Sequence, residues 1–137
     1  MTTTCSISFP RILVVESEPD LQVLLDHILT EEGYGVTLVS SQETALCLLV
    51  EQPYQLVLTD LFGERPQVRW HNLQQIAQRC SPTPVGIITA WNVTCEEVQH
   101  NGGAFRLLKP FDLDDLTAQV AAHVLQPLSA GQRRSLR

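Results

Sequence analysis

The chain has 137 residues, which suits one globular domain with a single core and is too short for two ordinary domains. Hydrophobic residues make up 44% and charged residues 18%, which excludes a disordered chain, and a formal net charge of −6 argues against direct nucleic-acid binding. The first ten residues lack the basic start and long apolar run of a signal peptide, and no stretch approaches the roughly 20 apolar residues that span a bilayer. We therefore expect a cytoplasmic protein that does not contact a membrane.

Short apolar runs alternate with segments of helical period along the chain. The runs have the composition of strands that are buried on both sides. Five strands are predicted, over Arg11–Val15, Gly35–Val39, Gln55–Thr59, Val85–Thr89 and Phe105–Leu108.

Capping signals predict where the intervening helices begin and end. Ser40 and Thr94 are each followed three residues later by glutamate, which is the capping-box pattern of a helix N-terminus. Asp112 is expected to cap the last helix, and Gly33 is expected to end the first. Apolar residues at helical spacing predict the buried faces of the first and third helices: Leu21, Leu24, Leu25 and Ile28, and then Trp70, Leu73, Ala77 and Cys80.

Apolar strands that alternate with amphipathic helices predict an α/β fold in which helices cover both faces of a parallel sheet. Five such units fit a doubly wound five-stranded parallel sheet with strand order 2-1-3-4-5, which is a flavodoxin-like three-layer sandwich. We expect an N-terminal extension over residues 1–9, the domain over 10–126, and a tail or the start of a linker over 127–137.

Residues with reactive side chains stand where four of the predicted strands end. Ligands of an open α/β sheet bind outside the carboxyl ends of its strands, near the point where the strand order reverses. Glu16, Asp60 and Lys109 directly follow three strands, and Thr89 ends a fourth. The set suits phosphoryl transfer to Asp60, with Mg²⁺ held by Glu16 and Asp60 and with Thr89 and Lys109 on phosphoryl oxygens. A buried Asp–Lys pair that only anchors the strand ends is an equal alternative from geometry alone.

Four segments resemble the receiver domains of bacterial two-component response regulators. In order, they are similar to that family's first strand with its acidic pocket, its phosphoacceptor strand, its switch-threonine strand and its lysine motif. The segments are residues 12–20, 56–61, 85–90 and 107–111.

The resemblance implies a function and its partners. Asp60 would accept a phosphoryl group from a histidine kinase, a phosphotransfer protein or a small phosphodonor, and Thr89 and Lys109 would form the signalling pair. Signalling would pass through the face formed by the fourth helix, fifth strand and fifth helix to a downstream protein partner. The resemblance also allows a homodimer of this chain. The chain would not be an enzyme beyond Mg²⁺-dependent phosphorylation and dephosphorylation of itself.

The chain departs from the family pattern at positions that bear on this function. Ser17 stands where the family has a second acid, so weak Mg²⁺ binding is expected. Glu18 could supply the missing charge by turning into the pocket, but its place just before Pro19 favours a role as the cap of the first helix. Arg106 stands where an aromatic switch residue is usual, unless Phe105 takes that role. Trp91 is a candidate for the output face, although packing within its loop is the simpler interpretation. The interval from the threonine to the lysine is also about two residues short, which predicts a short fourth helix.

Three other functions are alternatives to a phosphorylated receiver. A pseudo-receiver that docks proteins without phosphorylation is favoured by Ser17 and Arg106 and opposed by the intact reactive residues. A flavin-binding protein needs a Gly- or Ser/Thr-rich phosphate cradle after the first strand, where this chain is acidic. A haloacid-dehalogenase-like phosphatase would have a second aspartate two residues after Asp60, where Phe62 stands.

Overall fold

The computed structural model describes residues 9–126, in which strands and helices alternate as the sequence predicts. All strand pairs are parallel and the sheet order is 2-1-3-4-5, which confirms the predicted fold class. No helix within this range is long and apolar enough to cross a membrane. The elements are β1 (Arg11–Val15), α1 (Pro19–Glu31), β2 (Gly35–Val39), α2 (Gln42–Glu51), β3 (Leu56–Thr59), α3 (Pro66–Cys80), β4 (Val85–Thr89), α4 (Cys95–His100), β5 (Phe105–Leu108) and α5 (Leu113–His123).

Each face of the sheet carries its own hydrophobic core. Ile12 and Leu58 point towards α1 and α5, whereas their neighbours Leu13 and Val57 point towards α2, α3 and α4. Because side chains alternate across a strand and both faces are covered, the central strands are apolar on both sides. The first polar side chains beyond β1 and β3 therefore lie at the carboxyl edge of the sheet.

Three of the predicted helix ends are confirmed. Gly33 adopts a φ of +97° after α1, a conformation that glycine tolerates at no steric cost. Thr94 and Glu97 form the complete capping box of α4, and the side chain of Asp112 accepts a hydrogen bond from the backbone of α5. As expected, α4 is short, with six residues.

Three helix predictions need correction. On α1, Leu24 is 39% exposed, and the fully buried residues are Leu25 and Leu29. The N-cap of α2 is Ser41, whose extended backbone lets its hydroxyl accept a hydrogen bond from the Thr44 amide, so Ser40 is not the cap. On α3 the fully buried face contains Arg69 and Leu73, whereas Trp70 is only half-buried. β3 also begins one residue later than predicted.

The predicted extension and tail over residues 1–9 and 127–137 lie outside the described residues, except for the exposed Phe9. Their assignment stays a prediction.

Replacing Thr94 with alanine is expected to lower the free energy of unfolding by about 1 kcal/mol, because the change removes the side-chain acceptor for the Glu97 amide. Urea denaturation measures the loss, and Thr94→Ser, which keeps the hydroxyl, serves as the control. Equal midpoints for Thr94→Ala and the wild type would show that the cap does not stabilise this short helix.

Candidate functional site

The carboxyl ends of β1 and β3 bring Glu16 and Asp60 side by side. The two strands pair in register up to Val15 and Thr59, so the next residue of each emerges at the same edge. The Asp60 amide donates to the Val15 carbonyl over 3.1 Å, which extends the pairing by one step. Lys109 enters from β5, where its amide donates to the carbonyl of Thr89 over 2.8 Å.

The ammonium group of Lys109 lies among three carboxylates. Its Nζ is 3.1 Å from Glu16 Oε1, 2.9 Å from Glu18 Oε1 and 3.0 Å from Asp60 Oδ2. The Glu16 side chain is 2% exposed and that of Lys109 is 15% exposed, whereas Glu18 reaches in from solvent. Glu16, Asp60 and Lys109 therefore lie together as the strand ends predict, and Glu18 joins them.

Backbone amides hold two of these carboxylates in place. The Leu61 amide donates to Asp60 Oδ1 over 2.7 Å, and the Glu18 amide donates to Glu16 Oε2 over 3.1 Å. Each carboxylate thus has one oxygen on a backbone N–H and the other on the lysine. Such charge-assisted contacts fix the side chains in one orientation.

The carboxylates also stabilise the charged form of Lys109. Partial burial alone would lower the pKa of this ammonium. Hydrogen bonds to Glu18, Asp60 and Glu16, together with the negative charge of Asp60, outweigh burial and raise the pKa above its ordinary value. Lys109 is the only lysine in the chain, so the site depends on a single ammonium.

Thr89 is completely buried at the end of β4. Its Oγ1 accepts a hydrogen bond from the amide of Trp91 over 3.1 Å. A hydroxyl that accepts one bond still has a proton to donate. The geometry thus leaves Thr89 able to donate to a further oxygen atom.

The side chain of Glu18 does not form the predicted cap of α1, and Ser17 is turned to solvent. Glu18 occupies the N-cap position of α1 but makes no side-chain capping bond, because its carboxylate binds Lys109 instead. Ser17 is exposed and lines a cavity of about 530 Å³ together with residues of α2 and α3 such as Gln42 and Asn72. The third negative charge of the pocket therefore comes from Glu18.

The donor set of the pocket fits a hard divalent cation. Within residues 9–126, no three His, Cys, Asp or Glu side chains are grouped as a metal-binding cluster. Mg²⁺ in proteins is usually held by one or two carboxylates together with water and phosphate oxygens. Glu16 and Asp60, which approach the same ammonium from adjacent strands, supply such a pair.

The three candidate output residues differ in how far they are buried. Phe105 is buried, with its ring 4.6 Å from that of His123 in α5, so it is not part of an exposed surface. Arg106 points to the opposite face of β5 and is half-buried, and its Nε has no hydrogen-bond partner among the described residues. Trp91 is 43% exposed and packs against the guanidinium of Arg69.

Sequence reasoning favoured a capping role for Glu18 over its alternative place in the pocket, and it missed Arg69 as a buried residue. The signal for Arg69 was its position four residues before Leu73 and seven before Ile76, the two apolar residues that define the buried face of α3. No local signal distinguishes the two possible roles of Glu18.

Comparison with known proteins identifies the family. The sequence model of one protein family, the response regulator receiver domain, matches residues 12–121 of the chain. The chain belongs to this family. It is therefore a receiver domain of two-component signalling, as the four sequence segments indicated.

Its relatives include longer regulators. The chain is 34% identical over 119 residues to the transcriptional regulatory protein TcrA of Mycobacterium tuberculosis and 35% identical over 118 residues to the response regulator protein PilR of Pseudomonas aeruginosa. The matches cover 85% and 84% of this receiver domain but only 46% and 26% of those proteins. The chain thus spans at most about half the length of these relatives.

Solved structures of the same fold are also similar. The response regulator protein TrrA of Thermotoga maritima, solved in complex with Mg²⁺–BeF, is 26% identical, with a TM-score of 0.72 over 85% of this chain and 100% of that one. The chemotaxis protein CheY4 of Vibrio cholerae has a TM-score of 0.73 over 85% of this chain and 100% of that one, at 16% identity, which supports the fold alone.

Proposed function

We propose that the receiver domain accepts a phosphoryl group on Asp60. The observation that carries the proposal is the contact of one partly buried ammonium, Lys109 Nζ, with both Glu16 and Asp60 at the carboxyl edge of the sheet. A cation at this point offsets the negative charge that a phosphoryl group brings, and the site needs little reorganisation to provide it.

The site and the phosphoryl donor together supply every group that the transfer step needs. A carboxylate oxygen of Asp60 attacks the phosphorus, and an O–P bond forms as the P–N bond of a phosphohistidine, or the P–O bond of an acyl phosphate, breaks. The electron pair leaves with the imidazole or the carboxylate. Lys109 neutralises one phosphoryl oxygen and the hydroxyl of Thr89 donates to another. Mg²⁺, when it is held by Glu16 and Asp60, supplies further charge neutralisation at those oxygens.

The proposal includes partners of two kinds. The phosphoryl donor is a histidine kinase, a phosphotransfer protein or a small phosphodonor, and the output is a contact with a downstream protein or with a second copy of the chain. We assign the output to the surface of α4, β5 and α5, where Arg106 is the candidate contact residue. The net charge of −6 favours a protein rather than nucleic acid as the partner of this chain. No turnover of an external substrate is proposed.

A phosphorylation-independent docking domain is the second candidate. Two observations favour it: Ser17 adds no acid to the pocket and lines a separate cavity, and Arg106 replaces the usual aromatic residue on β5. Under this alternative, the ion pairs of Lys109 would only join the strand ends.

Asp60 should be the residue that is labelled when the protein is incubated with acetyl phosphate and Mg²⁺. Borohydride reduces an aspartyl phosphate to homoserine, which peptide mass spectrometry locates in the sequence. We expect homoserine at position 60 in the wild type, no label in Asp60→Asn, and normal labelling in the control Asp26→Asn, which changes an exposed acid in the middle of α1. Label on another residue, or label that survives Asp60→Asn, would contradict the proposal, and an unlabelled wild type would favour the docking domain.

A further inference from the structure

Arg69 is a buried cation that has no carboxylate partner among the described residues. The residue is 8% exposed, and the ion pairs of residues 9–126 involve His27 and Lys109 but not Arg69. A buried charge is costly unless hydrogen bonds or an opposite charge compensate it. The groups that compensate the charge of Arg69 therefore show which segments of the chain this residue connects.

Arg69 contacts two loops. Its Nη1 donates to the carbonyl oxygens of Gly63 and Glu64, each over 3.1 Å, and its Cζ lies 3.8 Å from the centroid of the Trp91 ring. A guanidinium at this distance above an indole is within the range of a cation–π interaction, which is strongest where water is excluded. Two carbonyls and one aromatic ring thus take the place of a carboxylate.

These loops are the ones that follow the proposed nucleophile and the proposed signalling hydroxyl. Gly63 is three residues after Asp60, and Trp91 is two residues after Thr89. The Trp91 amide also donates directly to Thr89 Oγ1. Arg69 therefore links the Asp60 segment to the Thr89 segment through contacts that do not include Lys109.

We propose that Arg69 and Trp91 are positioning residues for phosphoryl transfer: their stack holds the two loops so that the Asp60 carboxylate and the Thr89 hydroxyl meet the same phosphoryl group. The role rests on the proposed function. Neither residue touches the reacting atoms in this arrangement. A displacement of about 1 Å in a reacting group is enough to slow an oriented reaction strongly, so loss of the stack should act on the rate.

The alternative is a stack that only stabilises the fold. Both roles predict a lower melting temperature when either residue is replaced. They differ in the rate of phosphorylation of the folded protein, because a purely stabilising contact has no effect on chemistry once the chain is folded. The phosphorylation rate of the folded protein must therefore be measured separately from its melting temperature.

The test follows the initial rate of phosphorylation by acetyl phosphate at saturating Mg²⁺, at a temperature where circular dichroism shows each variant to be folded. Arg69→Gln removes the charge and Trp91→Leu removes the aromatic ring. We expect each to lower the maximal rate roughly tenfold, equivalent to about 1.4 kcal/mol in the barrier, with little change in the apparent KM for acetyl phosphate. The double variant should be no slower than the slower single variant, because both changes break one contact.

Conservative variants and a matched control complete the design. Trp91→Phe and Arg69→Lys, which keep an aromatic face and a positive charge, should recover part of the rate. Arg79→Gln, an exposed arginine near the other end of α3, should leave it unchanged. Should Arg69→Gln fail to fold, the Trp91→Leu and Trp91→Phe pair carries the test, since Trp91 is partly exposed.

Two results would overturn the positioning role. One is a set of folded single variants that melt earlier but are phosphorylated at the wild-type rate. The other is a double variant whose rate loss is the product of the two single losses. An unphosphorylated wild type is a different outcome: it removes the proposed function itself, and the role of Arg69 with it, before any variant is compared.

Discussion

Replacement of Lys109 by methionine should lower the free energy of unfolding by about 3 kcal/mol at neutral pH. Methionine fills a similar volume but leaves the carboxylates of Glu16, Glu18 and Asp60 without their shared cation. Removal of one partner from a buried ion pair typically costs 3–5 kcal/mol, and the partial exposure of Lys109 favours the lower end. Because a domain of this size has about 5–15 kcal/mol of stability, the variant should still fold.

The pH dependence of this loss follows from the direction of the pKa shift. The folded state raises the pKa of Lys109, so its contribution to stability is present in full below the unfolded-state pKa, near 10.4, and is lost as the pH rises through the folded-state value. The difference between wild type and Lys109→Met should therefore stay constant from neutral pH to about pH 10 and shrink above it.

Urea denaturation across this pH range measures the difference, with Lys109→Arg as the charge-preserving control. Since the chain has a single lysine, lysine-selective NMR labelling gives one side-chain signal that reports the ionisation of this ammonium directly. Mg²⁺ should restore part of the stability of Lys109→Met, because the ion binds the folded carboxylates and replaces the lost charge. Equal stability of Lys109→Met and the wild type would show that the ion pairs do not form in solution.

The fold was predictable because its signals are repeated and mutually consistent. Continuous apolar strands such as β1 and β3 indicate burial on both faces, and the topology of such sheets then brings the residues after each strand to one edge. That rule was sufficient to group Glu16, Asp60 and Lys109. It needed only the strand ends, which apolar runs define within a residue.

The predictions that were wrong concern residues for which the local sequence favours two roles equally. Adjacent serines both suit an N-cap, and in the structure it is Ser41 that accepts the hydrogen bond from the Thr44 amide. Glu18 can either cap α1 or bind Lys109, and the choice depends on a residue 91 positions away in sequence. The buried position of Arg69 likewise depends on a loop and a tryptophan from another part of the chain. The spacing of Arg69 to Leu73 and Ile76 indicates that Arg69 is buried, but the contact partners of Arg69 and of Glu18 leave no trace in local sequence patterns.

The other large effect is expected in Mg²⁺ binding, where Glu18 and Ser17 should act in opposite directions. Glu18→Gln removes a negative charge 2.9 Å from the ammonium that contacts Glu16 and Asp60, and we expect it to weaken Mg²⁺ binding. Ser17→Asp adds a charge at the position where the family has an acid, and we expect it to strengthen binding. The wild type should therefore bind Mg²⁺ more weakly than Ser17→Asp.

The negative charge in the pocket determines how much each of the two variants changes the affinity for Mg²⁺. Mg²⁺ gives up its hydration water reluctantly and needs formal negative charge nearby to compensate. At an effective dielectric constant near 20, two unit charges about 4 Å apart interact by about 4 kcal/mol. Even a third of that value, after screening by water and by the existing charges, is roughly a tenfold change in affinity. Each variant should thus change the dissociation constant about tenfold.

Calorimetric titration with Mg²⁺ measures these constants, and Mn²⁺ titration followed by electron paramagnetic resonance provides a second readout. The double variant Ser17→Asp, Glu18→Gln should return close to the wild-type affinity if total charge at the pocket is what matters. Glu51→Gln, which removes an exposed acid at the C-terminal end of α2, should have little effect. Tight binding that survives Glu18→Gln would mean that Glu18 turns away from the pocket when the ion binds. Unchanged binding in Ser17→Asp would mean that position 17 keeps facing the cavity beside α2 and α3, and that Glu18 alone supplies the charge that the family takes from its second acid.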